Sequence, residues 1–171
     1  MSDGAAKPLN VFSWWAGPLF VALGASLVLA MPLKIYGLQL PEPVFPLVLA
    51  FSWGVIRTSA WPSVGLMVAG LVLDCLWGSP LGLWALCLLA AYAVVFALRP
   101  ILSGGGFWAL WFWYLAASVA AFLTGLILMG FKTGHLPSLV GVFWQLFASV
   151  MLFPFAWRLV ERYEDADVRF R

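Results

Sequence analysis

The stretch GLVLDCLWGSPLG, residues 70 to 82, contains Asp74, the one acidic residue between Glu42 and Glu161. A carboxylate in such apolar surroundings can serve a proton or substrate site, or it can accept hydrogen bonds that hold helices together. An Asp at the centre of a membrane helix costs on the order of 2.5–3.5 kcal/mol on insertion scales. We therefore expect nearby protein groups to offset that cost.

Other side chains with catalytic or ligating chemistry are few. His135 is the one histidine, and it falls in a short polar segment where we expect a solvated loop residue rather than a metal ligand. Cys75 and Cys87 have no CxxC partner, which predicts buried thiols that pack as small apolar groups. No Ser/His/Asp set, paired carboxylates or metal-ligand spacing is present, so the sequence predicts no enzyme activity and no cofactor.

The composition is that of a membrane protein. Of the 171 residues, 64% are hydrophobic and 9% are charged. A soluble domain of this length needs a much larger charged fraction to cover its surface. The sequence therefore predicts an all-α, polytopic integral membrane protein that forms a single membrane domain over residues 1–171.

Breaks in the apolar runs at charges, prolines and glycines predict about six transmembrane helices. The predicted spans lie near 12–31, 44–57, 62–78, 80–98, 107–131 and 138–157, with a cytoplasmic tail over 158–171. The second span is short, with roughly 20 Å of helix for a hydrocarbon core of about 30 Å. A re-entrant hairpin of spans two and three is the alternative, but it would place Arg57 deep in lipid.

The distribution of Lys and Arg predicts that both termini are cytoplasmic, because cytoplasmic loops of membrane proteins are enriched in these residues. On this orientation the outer side carries Lys34 and Lys132 alone. The remaining basic residues all fall on the inner side: Lys7, Arg57, Arg99, Arg158, Arg162, Arg169 and Arg171.

The neighbours of Asp74 suggest how its charge is accommodated. Gly70, Asp74 and Gly78 are spaced at i, i+4 and i+8, so they share one helix face. Small residues on that face allow another backbone to approach the carboxylate. Gln145 and Thr124 are expected at similar depth and are the candidate partners. A structural role for Asp74 is favoured over a proton or substrate site, because no second acid lies in any span.

The run VGLMVAGLVLDCLWGSPLGLWAL (64–86) resembles the signature of the rod shape-determining protein MreD family. In that family a glycine-bearing span ends in a Leu-rich stretch with an Asp, followed by a turn and Pro-Leu-Gly. The matching positions are Gly65, Gly70, Leu71, Asp74, Gly78, Pro80, Leu81 and Gly82.

The resemblance implies a non-enzymatic scaffold in the bacterial inner membrane that maintains rod shape. Its implied partners are MreC and, through it, MreB, RodA and a penicillin-binding transpeptidase of the peptidoglycan elongation complex. We expect a partner helix to pack on the small-residue face around Asp74 and the Gly78–Gly82 turn, with Gln145 contributing. The family fold is thought to be similar to the substrate-binding subunits of energy-coupling-factor transporters. The alternative function is therefore a substrate-binding membrane subunit of a vitamin-type transporter.

Overall fold

The computed structural model describes residues 11–29, 34–35, 38–39, 43–56, 60–102, 106–133 and 138–168. These residues form seven helices and one short antiparallel ladder, in which Lys34–Ile35 (β1) pairs with Leu38–Gln39 (β2). In chain order the helices are α1 (Val11–Leu29), α2 (Phe45–Ile56), α3 (Ala60–Trp77), α4 (Leu83–Leu102), α5 (Phe107–Thr133), α6 (Leu139–Val150) and α7 (Phe153–Val168).

Each predicted span corresponds to helical structure, but the last span is broken. α6 ends at Val150 and α7 begins at Phe153, with a turn at Met151 and Leu152 between them. Pro154 accounts for the break, since it has no N–H to donate to the carbonyl of Val150. It is tolerated in the first turn of α7, where no such donor is required.

Three apolar segments are long enough to cross a membrane: Leu83–Pro100, Phe107–Lys132 and Leu139–Glu161. These segments make the chain a helical membrane protein. The expectation of about six spans is not met by this measure, because the other described apolar segments, Gly17–Leu27, Phe45–Ile56 and Trp61–Trp77, are shorter. Among the whole helices α1, α2 and α3, α2 is the shortest, because its 12 residues extend only about 18 Å.

The 12-residue helix α2 lies in the core of the bundle. Every residue from Pro46 to Gly54 is buried, including Trp53 and Phe51, which are fully enclosed. At Gly54 the backbone approaches α4 so closely that an added Cβ would lie 2.7 Å from a methyl carbon of Val95. A helix that is buried on all sides needs apolar residues on every face, which explains why the sequence of α2 shows no polar face.

Several sequence predictions concern residues that the structure does not describe. His135 lies outside the described residues, as do Lys7, Arg57, Arg169 and Arg171. The predicted tail begins as helix, because α7 continues without interruption to Val168.

Candidate functional site at the junction of α3 and α4

Asp74 lies in the last turn of α3 and is 1% exposed. Its Oδ1 accepts hydrogen bonds from the Ser79 hydroxyl at 2.7 Å and from the Trp84 backbone N–H at 3.0 Å. Its Oδ2 accepts one from the Gly82 N–H at 2.7 Å. The carboxylate therefore has three donors, and all three come from the turn and from the start of the next helix.

The two backbone donors are groups that a helix leaves unpaired at its N-terminus. α4 begins at Leu83, so the N–H groups of Gly82 and Trp84 have no carbonyl partner within the helix. Asp is a preferred capping residue, and its negative charge complements the positive end of the helix dipole. Here the cap is supplied from the preceding helix, which joins the end of α3 to the beginning of α4.

Two glycines give the connecting turn its path. Gly78 has φ +61° and Gly82 has φ +91°, a region of backbone conformation that side chains rarely permit. Gly78 follows the end of α3, and the Ser79 N–H bonds the Asp74 carbonyl at 3.0 Å, as in a Schellman motif. The Pro80 carbonyl accepts from the Leu83 N–H at 3.1 Å, with Gly82 as the third residue of that turn.

Gly70 lies one helical turn before Asp74 and contacts the backbone of α4. A Cβ added at Gly70 would overlap Cα and N of Ala85 and lie 2.7 Å from the carbonyl carbon of Trp84. The face that carries Gly70 and Asp74 is therefore covered by α4 of the same chain. It offers no open surface at this position for a separate partner helix.

The predicted partners of Asp74 are not the ones observed. The Thr124 hydroxyl donates to the Ala120 carbonyl of its own helix at 2.8 Å. Gln145 lies half-buried on α6, where its carbonyl accepts from the Ser149 hydroxyl. The prediction that they hold the carboxylate is wrong, because the turn at Gly78 folds the first N–H groups of α4 back onto Asp74. Ser79 and Trp84 were missed, although a Gly followed by Ser-Pro is a recognisable helix-end signal.

Leu81 and the two cysteines near the junction have different surroundings. Leu81 is 70% exposed at the tip of the turn, so it makes little contact with the junction. Cys87 is buried, and its Sγ would lie 3.2 Å from a Cβ at Gly125 of α5. Cys75 is exposed, so the expectation of two buried thiols is wrong for that residue. Residue 75 follows the buried Asp74 by a rotation of about 100°, which turns it away from α4.

A second set of contacts, which sequence reasoning missed, holds the two ends of α2. The Val44 N–H donates to the Ser149 hydroxyl at 3.1 Å, and the Tyr114 hydroxyl donates to the Ser149 carbonyl at 2.9 Å. At the other end Arg99 Nη2 donates to the Ile56 carbonyl, the last in α2, at 3.0 Å. Both helix ends thus obtain side-chain partners from other helices, which compensates for their burial.

The geometry of the junction is suited to a structural role. Both oxygens of Asp74 are occupied by donors fixed in the backbone or in the turn. Among the residues that the structure describes, no group of three or more His, Cys, Asp and Glu side chains could hold a metal ion. Comparison with protein-family models, with curated proteins and with solved structures finds no match to this chain.

Proposed function

We propose that this chain is a non-enzymatic scaffold of the bacterial inner membrane that helps to hold the peptidoglycan elongation complex together. The proposal rests on the resemblance of residues 64–86 to the MreD family. The observation that supports it is the capping of α4 by Asp74. The one charged group of the motif accepts hydrogen bonds that join α3 to α4. A carboxylate that moves protons or binds substrate needs a free acceptor position, and three fixed donors leave Asp74 little capacity for one.

The proposed membrane topology has six crossings with both termini in the cytoplasm. α1 to α5 each make one crossing, and α6 and α7 together make the sixth. The excess of Lys and Arg on the side of Arg99 and Arg158 sets the orientation. α2 and α3 cross as short helices within the bundle, where neighbouring helices rather than lipid surround α2.

The proposed partner is MreC, and through it MreB, RodA and a penicillin-binding transpeptidase. Because α4 covers the Gly70 face, we place the partner helix on the opposite face of α3. That face is apolar and exposed at Val64, Val68 and Leu71, at 48%, 48% and 38%. The Asp74 junction then supports the surface indirectly, by setting the position of α3 against α4.

The alternative, a substrate-binding transporter subunit, would need polar side chains free to meet a ligand. Ser52, Thr124 and Ser149 are three of the hydroxyls that the described helices carry. Each donates at 2.8 Å to the carbonyl four residues earlier in its own helix. Satisfied hydroxyls of this kind give the transporter alternative no specific support.

Depletion of the protein in its native host tests the cellular role. We expect cells to round and swell, since a scaffold of the elongation complex maintains rod shape. Normal rods that require an added vitamin would contradict the scaffold and support the transporter subunit.

Co-purification with MreC tests the partner surface. We expect Val68→Trp to reduce the MreC recovered while leaving the amount and melting temperature of the protein unchanged. Val140→Trp, at a residue of α6 that is 70% exposed, is the matched control and should retain MreC. If both variants recover equal amounts of MreC, the proposal that MreC binds the exposed face of α3 is wrong.

A further inference from the structure

Two of the apolar segments that are long enough to cross a membrane differ in length. Leu83–Pro100 has 18 residues, which extend about 27 Å as a helix. Leu139–Glu161 has 23 residues, which extend about 35 Å along α6 and α7. The hydrocarbon core of a bilayer is about 30 Å thick, so the first segment is shorter than the core and the second is longer. The contacts of α2 show at which end of the bundle the difference lies.

α2 and α4 run side by side in the same direction. A Cβ added at Gly54 would lie 2.7 Å from a methyl carbon of Val95. Two residues later the Ile56 carbonyl is bound by Arg99, which follows Val95 by four residues. Val44 precedes Gly54 by ten residues, which places the beginning of α2 beside the first turn of α4.

α6 extends well beyond the first turn of α4. Ser149 accepts the Val44 N–H, so it lies beside that turn as well. The Ser52 hydroxyl lies 3.5 Å from the Ala156 carbonyl, so the chain after Ser149 follows α2 towards its last residue. The chain before Ser149 therefore leads the other way. Residues 139–148 of α6 correspond to about 15 Å of helix, so α6 reaches about 10 Å beyond the start of α4.

At the other end of the bundle the same two segments finish together. Ile56 follows Ser52 by four residues, and Glu161 follows Ala156 by five, so Glu161 lies near the level of Ile56. Arg99 binds the Ile56 carbonyl at the end of the apolar segment of α4. The extra length of α6 and α7 is therefore at the end of the bundle that carries the α3–α4 turn.

The part of α6 that extends beyond α4 has an exposed, apolar surface. Leu139, Val140 and Phe143 are all well exposed, and they belong to the apolar segment that ends at Glu161. Side chains of this kind are favourable in hydrocarbon and unfavourable in water. We therefore expect acyl chains to cover α6 as far as its first residue.

The α3–α4 turn has the opposite requirement. Its backbone is non-helical, and Gly78 and Leu81 are exposed, so protein does not cover it completely. Non-helical backbone that is exposed to lipid does not occur within the hydrocarbon region. The N–H groups of Gly82 and Trp84 bond back to Asp74, so the turn rises little above the ends of its helices. The turn must therefore lie at the level of the lipid headgroups, although the apolar surface of α6 continues beyond it.

We propose that the protein thins the leaflet around the α3–α4 turn, so that the hydrocarbon is thinner beside the turn than beside α6. The partner is phospholipid: headgroups descend to the turn, while acyl chains cover α6 up to Leu139. Local thinning is the usual response of a bilayer to a hydrophobic stretch that is too short for it. This inference is independent of the scaffold role, since it concerns the chain and its lipid alone.

Spin-label accessibility in dioleoylphosphatidylcholine nanodiscs tests this shape. In a Cys75→Ala, Cys87→Ala background, a nitroxide is attached to the single variants Leu81→Cys and Val140→Cys, at sites that are both 70% exposed. The measured quantity is the ratio of collisions with oxygen to collisions with a neutral, water-soluble nickel complex. We expect this ratio to be about threefold or more higher at residue 140 than at residue 81, because the polar complex is excluded from hydrocarbon.

A flat bilayer gives the reverse order, because Val140 lies farther than Leu81 from the Arg99 end of the bundle. A ratio at residue 81 equal to or above that at residue 140 would therefore overturn the proposal. Substitution at either site leaves the core intact, since both side chains are largely exposed.

A tilt of the whole bundle is distinguished by a second pair of labels, on Ala93→Cys and Phe155→Cys. The contacts of α2 place Ala93 of α4 and Phe155 of α7 at similar height in the half of the bundle nearer to Arg99, and both are exposed. Local thinning at the α3–α4 turn leaves the two ratios similar. A ratio at residue 93 clearly above that at residue 155 would show a rigid tilt and would overturn the proposal.

Discussion

At the scale of single residues, the hydrogen bonds of Asp74 account for a buried carboxylate in an apolar helix. Three short donors replace the water that the group gives up, and two of them would otherwise remain unpaired at the start of α4. The cost of burying the charge and the cost of starting a buried helix are therefore reduced by the same contacts. Such charge-assisted bonds are stronger than bonds between neutral groups.

Replacing Asp74 should destabilise the protein in a graded way. Asp74→Leu removes all three acceptor contacts and should lower the free energy of unfolding by about 2–4 kcal/mol. Asp74→Asn retains one carbonyl oxygen and should cost less. Thermal unfolding in detergent, followed by circular dichroism, measures the difference, with Thr124→Val as a control. A melting temperature for Asp74→Leu equal to that of the natural sequence would show that the cap contributes nothing.

Gly70 and Gly24 form a matched pair of helical glycines. Gly70→Ala places a methyl group into the α4 backbone and should cost about 1–3 kcal/mol or more, because backbone cannot rotate away. Gly24→Ala meets nothing within 4 Å and should be neutral or stabilising by up to about 1 kcal/mol, since Ala favours helix. Detergent melting curves of the two variants test this, and a tolerated Gly70→Ala would mean that α3 and α4 can separate.

At the scale of elements, α2 is a short helix with both ends inside the protein. The Ser149 hydroxyl at one end and the Arg99 guanidinium at the other satisfy backbone groups that have no helical partner. Ser149 combines two roles, because its carbonyl also accepts from Tyr114 of α5. Ser149 lies near the end of α6, just before the break at Pro154, at the point where α2, α5 and α6 meet.

Ser149→Ala should therefore be costly for so small a change. It leaves the buried Val44 N–H without an acceptor, which costs about 1–3 kcal/mol. Ser118→Ala is the matched control: Ser118 is equally buried, but its hydroxyl donates to the Tyr114 carbonyl of its own helix at 2.7 Å. We expect Ser118→Ala to cost less than about 1 kcal/mol. Chemical denaturation in mixed micelles distinguishes the two, and equal effects would contradict the importance of the Val44 contact.

At the scale of the whole molecule, three apolar segments of the described residues are long enough to cross a bilayer, and three others are shorter. The number of crossings decides whether the termini share a side. Six crossings would leave both termini on the same side of the membrane, whereas three would separate them. The short helices can still cross if neighbouring protein shields them or if the bilayer thins locally, each at a modest cost.

Reporter fusions at each terminus test this topology. We expect a fluorescent-protein fusion to fluoresce at both ends and a periplasmic phosphatase fusion to be inactive at both. Fluorescence at one end and phosphatase activity at the other would indicate an odd number of crossings. That result would contradict the six-span topology, but it would not change the description of the Asp74 junction.

Much of the helical architecture could be predicted from residue types. Long apolar runs cannot leave backbone groups unpaired in lipid, so their helical structure follows from composition. The spacing of Gly70 and Asp74 correctly indicated a close protein contact, because glycine permits backbone approach and a buried charge requires donors. The position of the turn after Trp77 followed from the Gly-Ser-Pro signal.

The tertiary structure decided which groups meet. Asp74 bonds the start of α4 rather than Gln145 or Thr124, because the left-handed backbone at Gly78 and Gly82 directs the chain back across the end of α3. The depth of α2 depends on Ser149 and Arg99, which are distant from it in sequence. Composition determines that a segment is a helix in a membrane, since that depends on each residue's own solvation. The partners of a polar group depend on turn geometry and packing, which no single segment contains.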